Sequence, residues 1–296
     1  MIPRFLLPCL LVLFAALGSA HAQLTVSLQL PRTAYLLDEP IQAILSITNL
    51  AGRDILLEDT PEDGPWCLIQ VRSTHAGFVR PRKSDLSFPP LPIPAGQTVS
   101  RSIDLVECFE INETGSYKIR ACVNFAPTHS QIWSQPLSVT TDCGTLLWSQ
   151  TVGVPEGRPA AGSYRTFSLV SQRRPNGIFL YAKLEEKETG ARFPAYPLGR
   201  MLSAMPPQTQ IDPENNLYIF HAASDSSYLL SQIDVATGRM GQAAYRSVNQ
   251  RKGRPSLRKN PDGLVALSGA IRVDDQELVD SNAPARAKIT DRPAGF

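Results

Sequence analysis

Apolar side chains that alternate with mostly polar ones point the first half of this chain to half-buried β-strands. Leu24, Val26, Leu28 and Leu30 interleave with Thr25, Ser27 and Gln29. Ile41, Ala43, Leu45 and Ile47 then interleave with Gln42, Ser46 and Thr48. A period of two puts successive side chains on opposite faces of a strand, whereas a helix repeats near every fourth residue. Further short strands are predicted over 54–58, 66–72, 99–105, 117–125 and 132–140, separated by turns rich in Gly, Pro, Asn and Asp. Pro136 marks the last of these as an edge strand. Seven or so short strands with this turn spacing predict an antiparallel β-sandwich over residues 23–141. The proline-rich run Phe88, Pro89, Pro90, Leu91, Pro92, Ile93 and Pro94 lacks the amides a central strand needs. It is expected to be an extended, exposed loop and a candidate interaction site.

Glu113-Thr114-Gly115-Ser116-Tyr117-Lys118-Ile119 resembles the tyrosine corner of immunoglobulin-like domains, in which the Tyr hydroxyl bonds back to a nearby backbone carbonyl. Ile119 stands where antibody domains carry the second core cysteine, so the usual inter-sheet disulfide is absent, and alternation puts Cys122 on the outer face. The segment Tyr35-Leu36-Leu37-Asp38-Glu39-Pro40, leading into a strand ending Ile47-Thr48-Asn49, resembles the opening of macroglobulin-type and BsuPI-type proteinase-inhibitor domains of bacterial envelopes. That resemblance implies an immunoglobulin-like fold and, as one function, inhibition of a proteinase through a sandwich loop.

Residues 142–273 carry a different pattern. A proline turn followed by an apolar strand appears at Pro175, Pro213 and Pro261, and a Thr-Gly pair appears at Thr189-Gly190 and again at Thr237-Gly238. Spacing of this order with a hairpin in each unit is the mark of propeller blades. The acid-rich turn with Thr-Gly resembles quinoprotein-type blades, without the tryptophan those blades carry after it. There is room for about three blades, fewer than the four a closed propeller needs. An open β-meander with exposed edges is therefore expected, with oligomerisation through those edges as a consequence. The chain as a whole is read as all-β: an immunoglobulin-like antiparallel sandwich followed by a propeller-like repeat domain. Residues 274–296 are polar and aperiodic, the composition of a disordered tail.

Residues 1–22 have the form of a secretory signal: Arg4, an uncharged apolar run from Phe5 to Leu17, then Ala20-His21-Ala22 as a small-x-small cleavage site. The protein is expected to be secreted or periplasmic, with no transmembrane segment after cleavage, because no later stretch is long and apolar enough. Of the five cysteines only Cys9 lies in the signal, leaving Cys67, Cys108, Cys122 and Cys143. An even number in an oxidising compartment predicts two disulfides. Three pairings are possible; Cys67–Cys122 with Cys108–Cys143 is favoured because adjacent strands and a common end of the sandwich would bring each pair together.

With Arg4 removed from the 29 basic residues, 28 remain against 27 acidic ones, a balance that argues against a nucleic-acid partner. There is no G-x-S-x-G elbow and no Gly-rich phosphate loop. The remaining histidines, His75, His129 and His221, have no metal or triad spacing, although His221 ends a strand where a cleft could lie. The acidic pairs Glu58-Asp59 and Glu62-Asp63 lack an EF-hand arrangement, and a basic stretch runs from Arg246 to Lys259. No catalytic, cofactor or metal constellation emerges. The expectation is a non-enzymatic binding or structural protein of the cell envelope, partnered by another envelope protein or a surface polymer. Proteinase inhibition, or an enzyme with a site between the domains, stands as the alternative.

Overall fold

The computed structural model describes residues 24–84, 86–248 and 254–273. The expected signal segment, the polar tail and the middle of the basic stretch lie outside these residues. Strands account for 56% of the chain and helix for 3%, which places it in the all-β class, with several antiparallel sheets and none closed. Two compact units are present. The first runs to Tyr35 and resumes over Pro40–Thr141; the second comprises Leu36–Glu39 and the chain from Asp142 onward.

The strands of the first half are β1 (Leu24–Gln29), β2 (Ala34–Leu36), β3 (Gln42–Asn49), β4 (Ile55–Leu57), β5 (Cys67–Ser73), β6 (Gly77–Phe78), β7 (Leu91–Ile93), β8 (Thr98–Asp104), β9 (Gly115–Phe125), β10 (Ser130–Trp133) and β11 (Leu137–Asp142), with one helical turn, α1 (Leu105–Cys108). One sheet has the order β1-β3-β8; the other has β2-β11-β9-β5-β6, with β10 also on β9. Inward residues Leu24, Leu28, Leu45, Ile47 and Ile103 of the first sheet meet Val71, Ile119, Val123 and Val139 of the second in one core. Alternation does what it predicts over β1, β3 and β5, with one face buried and the other largely open, whereas at the end of β9 both faces are buried, and Cys122, expected on an outer face, is fully covered. Tyr117 Oη donates a 2.6 Å hydrogen bond to the Glu113 carbonyl, and Thr141 Oγ1 donates to the same oxygen at 2.9 Å.

Two local expectations are corrected. The single strand expected over 132–140 is two strands, β10 and β11, which pair with different lengths of β9. Pro136 has no amide to give, and Ser134 spans the gap: its N–H donates to the Ala121 carbonyl, and its Oγ accepts from the Ala121 N–H. β11 is not an edge strand, since β2 lies on its other side. The proline-rich run is not a free loop throughout. Leu91 and Ile93 are buried core residues of β7, which pairs with β4, while Pro92 between them faces outward.

In the second unit β12 (Thr145–Gly153), β13 (Tyr164–Arg174), β14 (Gly177–Glu186) and β15 (Tyr196–Met201) form one meander. β16 (Gln208–Ile211), β17 (Leu217–Ala222), β18 (Ser227–Ile233) and β19 (Met240–Ser247) form another, extended by β22 (Ala270–Arg272). β20 (Ser256–Lys259) and β21 (Val265–Ser268) make a separate hairpin. Phe167, Leu169, Leu180 and Leu198 from the first meander pack against Leu217, Ile219 and Ile233 from the second. The Thr-Gly turns are equivalent, each joining the third and fourth strand of its meander. In both, an acid caps the turn: Thr189 Oγ1 donates to Glu186 and the Gly190 N–H to the Glu186 carbonyl, while Thr237 Oγ1 donates to Asp234 and the Gly238 N–H to the Asp234 carbonyl. Gly238 has φ +69°, and a Cβ there would lie 2.6 Å from the Phe193 ring, so glycine is required twice over. The proline turns are not all equivalent: Pro213 and Pro261 each lie between the two strands of a hairpin that opens its sheet, whereas Pro175 joins the second and third strands of the first meander.

Candidate ligand groove on the first unit

β5 is paired along its whole length with β9 on one side. On its other side only Arg72 and Ser73 are paired, with β6. Val71 on that side is bonded to Val79, and the remaining edge, Cys67–Gln70, has no strand partner among the described residues. The direction of its main-chain groups follows from two hydrogen bonds. The Trp66 carbonyl accepts from the Asn124 N–H on the β9 side at 2.8 Å, and the Val71 carbonyl accepts from the Val79 N–H on the opposite side at 2.9 Å. Since strand main-chain groups alternate, Leu68 and Gln70 address β9, while Cys67 and Ile69 present N–H and C=O to the open edge.

A cavity of about 690 Å³ runs along that edge. It is lined by Cys67, Leu68, Ile69, Gln70 and Val71. Five consecutive strand residues can line one cavity only from the side, because their side chains point alternately to the two faces. The far wall comes from the connection leading out of β6, through Val79, Pro81, Leu86 and Ser87, with Phe109 behind it. This wall is tied down at both ends. Arg82 Nε donates to the Val106 carbonyl at 2.7 Å, Ser87 Oγ to Asp59 at 2.7 Å, and Trp66 Nε1 to the Phe88 carbonyl at 3.0 Å. Leu68, Phe78 and Trp133 also line the cavity and stay 38%, 61% and 38% exposed, an amount of open apolar surface that marks binding sites more often than structural ones.

The groove's chemistry is spare. Asp59 is the one carboxylate among its described lining residues, and both its oxygens are used, by the Trp66 N–H and by Ser87. The Cys67 thiol is pushed up to about 12, chiefly by burial, with Cys122 and Asp59 adding and Arg101 opposing. At neutral pH it carries a proton and is a poor nucleophile. Two guanidinium groups border the apolar surface: Arg72 stacks 4.6 Å from the Phe78 ring centroid and Arg120 4.0 Å from that of Trp133.

The residues singled out in the sequence disperse. All four thiols are free. Cys67 pairs in register with Val123 and Leu68 with Cys122, so the two cysteines lie on neighbouring strands but on opposite faces, and the favoured Cys67–Cys122 bridge is unattainable in this register. Cys108 ends α1 half-buried and Cys143 is exposed after β11. Of the proline-rich run, Phe88 contributes its carbonyl to fastening the groove wall, while Leu91 and Ile93 serve the core. His129 meets Asp63 at 3.0 Å, a pair that sequence spacing did not reveal, and that hydrogen bond and charge raise the imidazole pKa. His221 is buried and lines a smaller cavity of about 180 Å³ in the second unit, with Met205, Gln208, Tyr228 and Arg254 among its neighbours. Among the described residues no three His, Cys, Asp or Glu side chains gather as metal ligands. Leu68, Phe78 and Trp133 went unmarked in the sequence because single apolar residues at outward positions are ordinary.

No family model matches the chain, and no curated protein matches it. Among solved structures it is similar to Spo0M, a sporulation control protein from Bacillus subtilis, at 9% identity and a TM-score of 0.28, over 88% of this chain and 93% of that one. A likeness of that strength has no bearing on the groove.

Proposed function

We propose that this chain is an exported, non-enzymatic binding protein of the cell envelope and that the groove along β5 is its ligand site. The observation that carries this reading is the groove itself: about 690 Å³ of mainly apolar space with fastened walls, where, among the described lining residues, the one thiol is held protonated and the one carboxylate is already hydrogen-bonded. Such a site can hold a ligand, and its described lining residues include no acid–base pair with which to transform one. An immunoglobulin-like reading of the first unit is supported by the Tyr117–Glu113 bond and the two sheets around one core. A propeller-like reading of the second draws support from its equivalent acid–Thr–Gly turns. Proteinase inhibition through residues 88–94 gains no support from Leu91 and Ile93, whose side chains are in the core.

Titration with N-phenyl-1-naphthylamine, an uncharged fluorophore, tests the site. Wild-type protein is expected to bind it, and Leu68→Asp to weaken binding about tenfold or more, as charging a wall that receives apolar surface costs well over about 1.4 kcal/mol. Leu68 is 38% exposed, so the variant should fold. Equal binding by both proteins, or by neither, would remove the groove as the site.

A further inference from the structure

We infer that the ligand of the groove is an extended polypeptide that adds as a strand to the open edge of β5, with apolar side chains in the cavity and carboxylates turned toward Arg72 and Arg120. This rests on the groove being a ligand site, as proposed above.

Three observations lead to it. The first is the polar content of an otherwise apolar slot. Cys67 and Ile69 direct main-chain N–H and C=O groups at the cavity, two residues apart, in the spacing of a ladder. A purely apolar ligand seated there would cover those groups without bonding them, and each one left unsatisfied weakens binding. A strand bonds them while its side chains fill the space on both sides. The second is the position of the wall. Proteins commonly shield a free edge by covering it, and here β6 does so at Arg72 and Ser73. Beyond Val79 the connection stands off from β5 across the cavity and is bonded elsewhere: Arg82 to the Val106 and Cys108 carbonyls, Ser87 to Asp59. The open stretch Cys67–Gln70 gives about 10–13 Å of ladder, at roughly 3.3 Å per residue. The third is charge. Phe78, on the strand that closes one end of the edge, is capped by the solvent-exposed Arg72, and Trp133, beyond β9 on the sheet's outer face, is capped by Arg120. Carboxylates on the ligand would meet these cations at the rim, where charge sets partner choice and approach rate.

Selection of a displayed random-peptide library on the wild-type chain, with counter-selection on Leu68→Asp, tests this. Enrichment of sequences alternating apolar residues, with an acidic excess, is expected. Arg72→Glu should weaken the enriched peptide about tenfold and favour its lysine-substituted version. Residue-resolved hydrogen exchange supplies the decisive readout: bound peptide should slow the Cys67 and Ile69 amides about tenfold or more, while N-phenyl-1-naphthylamine should not. Binding of the fluorophore with no peptide enriched would overturn the inference and leave the proposed function standing; binding of neither would overturn both. A peptide that binds without protecting those two amides would also overturn it. So would their protection in the protein alone through self-association, which would make the occupant a second copy of this chain.

Discussion

The Tyr117 hydroxyl reaches back four residues to the Glu113 carbonyl, which also accepts from Thr141, so one oxygen ties β9 to the segment before it and to β11. Tyr117 is 3% exposed, and its ring packs in the core of the first unit. Tyr117→Phe keeps the ring and removes only the bond. A loss of about 1–1.5 kcal/mol is expected, because Thr141 still serves the carbonyl. Tyr117→Phe with Thr141→Val should cost more than the two single changes together, since the part-buried oxygen then has neither donor. Urea unfolding measures both. An unchanged midpoint in the single variant would mean that the corner does not hold the sheet.

The thiols should separate sharply in reactivity. Cys143 is exposed, whereas Cys67 is 1% exposed with its pKa pushed up to about 12, chiefly by burial. Against an ordinary thiol near 9, that lowers the thiolate fraction at neutral pH about a thousandfold. Iodoacetamide pulses read by mass spectrometry should label Cys143 first and Cys67 only on unfolding. Rapid native labelling of Cys67, or a Cys67–Cys122 linkage, would contradict the strand register.

Stability of the second unit should depend on pH through His221. Burial lowers its imidazole pKa from 6.5 to about 4, the Arg200 carbonyl opposing. A group whose folded pKa is depressed in this way binds its proton more readily when unfolded. Stability therefore falls as pH drops from about 6.5 toward 4, and is constant above that window as far as this residue is concerned. The full effect is on the order of 3 kcal/mol, at about 1.4 per pH unit. Thermal melts of wild type and His221→Leu between pH 7 and pH 4 measure it, and the variant should lose most of the slope. Equal slopes would show that His221 is not the group responsible.

Much of the fold is legible in the residues. β1 and β3 follow from alternation alone, and Tyr117 is recognisable from its local context, because both depend on neighbours within a few positions. Short elements escape. β2, β6 and β7 have three residues or fewer, too few to show a period, and they form because partners are present. Likewise Leu36–Glu39 groups with the second unit, where Asp38, at φ 71°, meets Lys183 at 2.7 Å and Arg192 at 3.4 Å, partners more than a hundred positions away.

The groove belongs to the same class. Its apolar wall residues, Leu68, Phe78 and Trp133, come from three strands, and nothing local distinguishes them from other outward hydrophobes. What makes the site is a missing pairing, the Cys67–Gln70 edge that β6 and Val79 stop short of covering. Alternation over β1 and β3, and with it the expectation of an all-β chain and the buried face of those strands, is written in the residues, since side-chain direction in a strand is a local property. Packing in three dimensions set which edge stays open, how Cys122 comes to be covered on the face turned away from Cys67, and where the wall stands. Those depend on register between distant segments, which a pattern of period two leaves free.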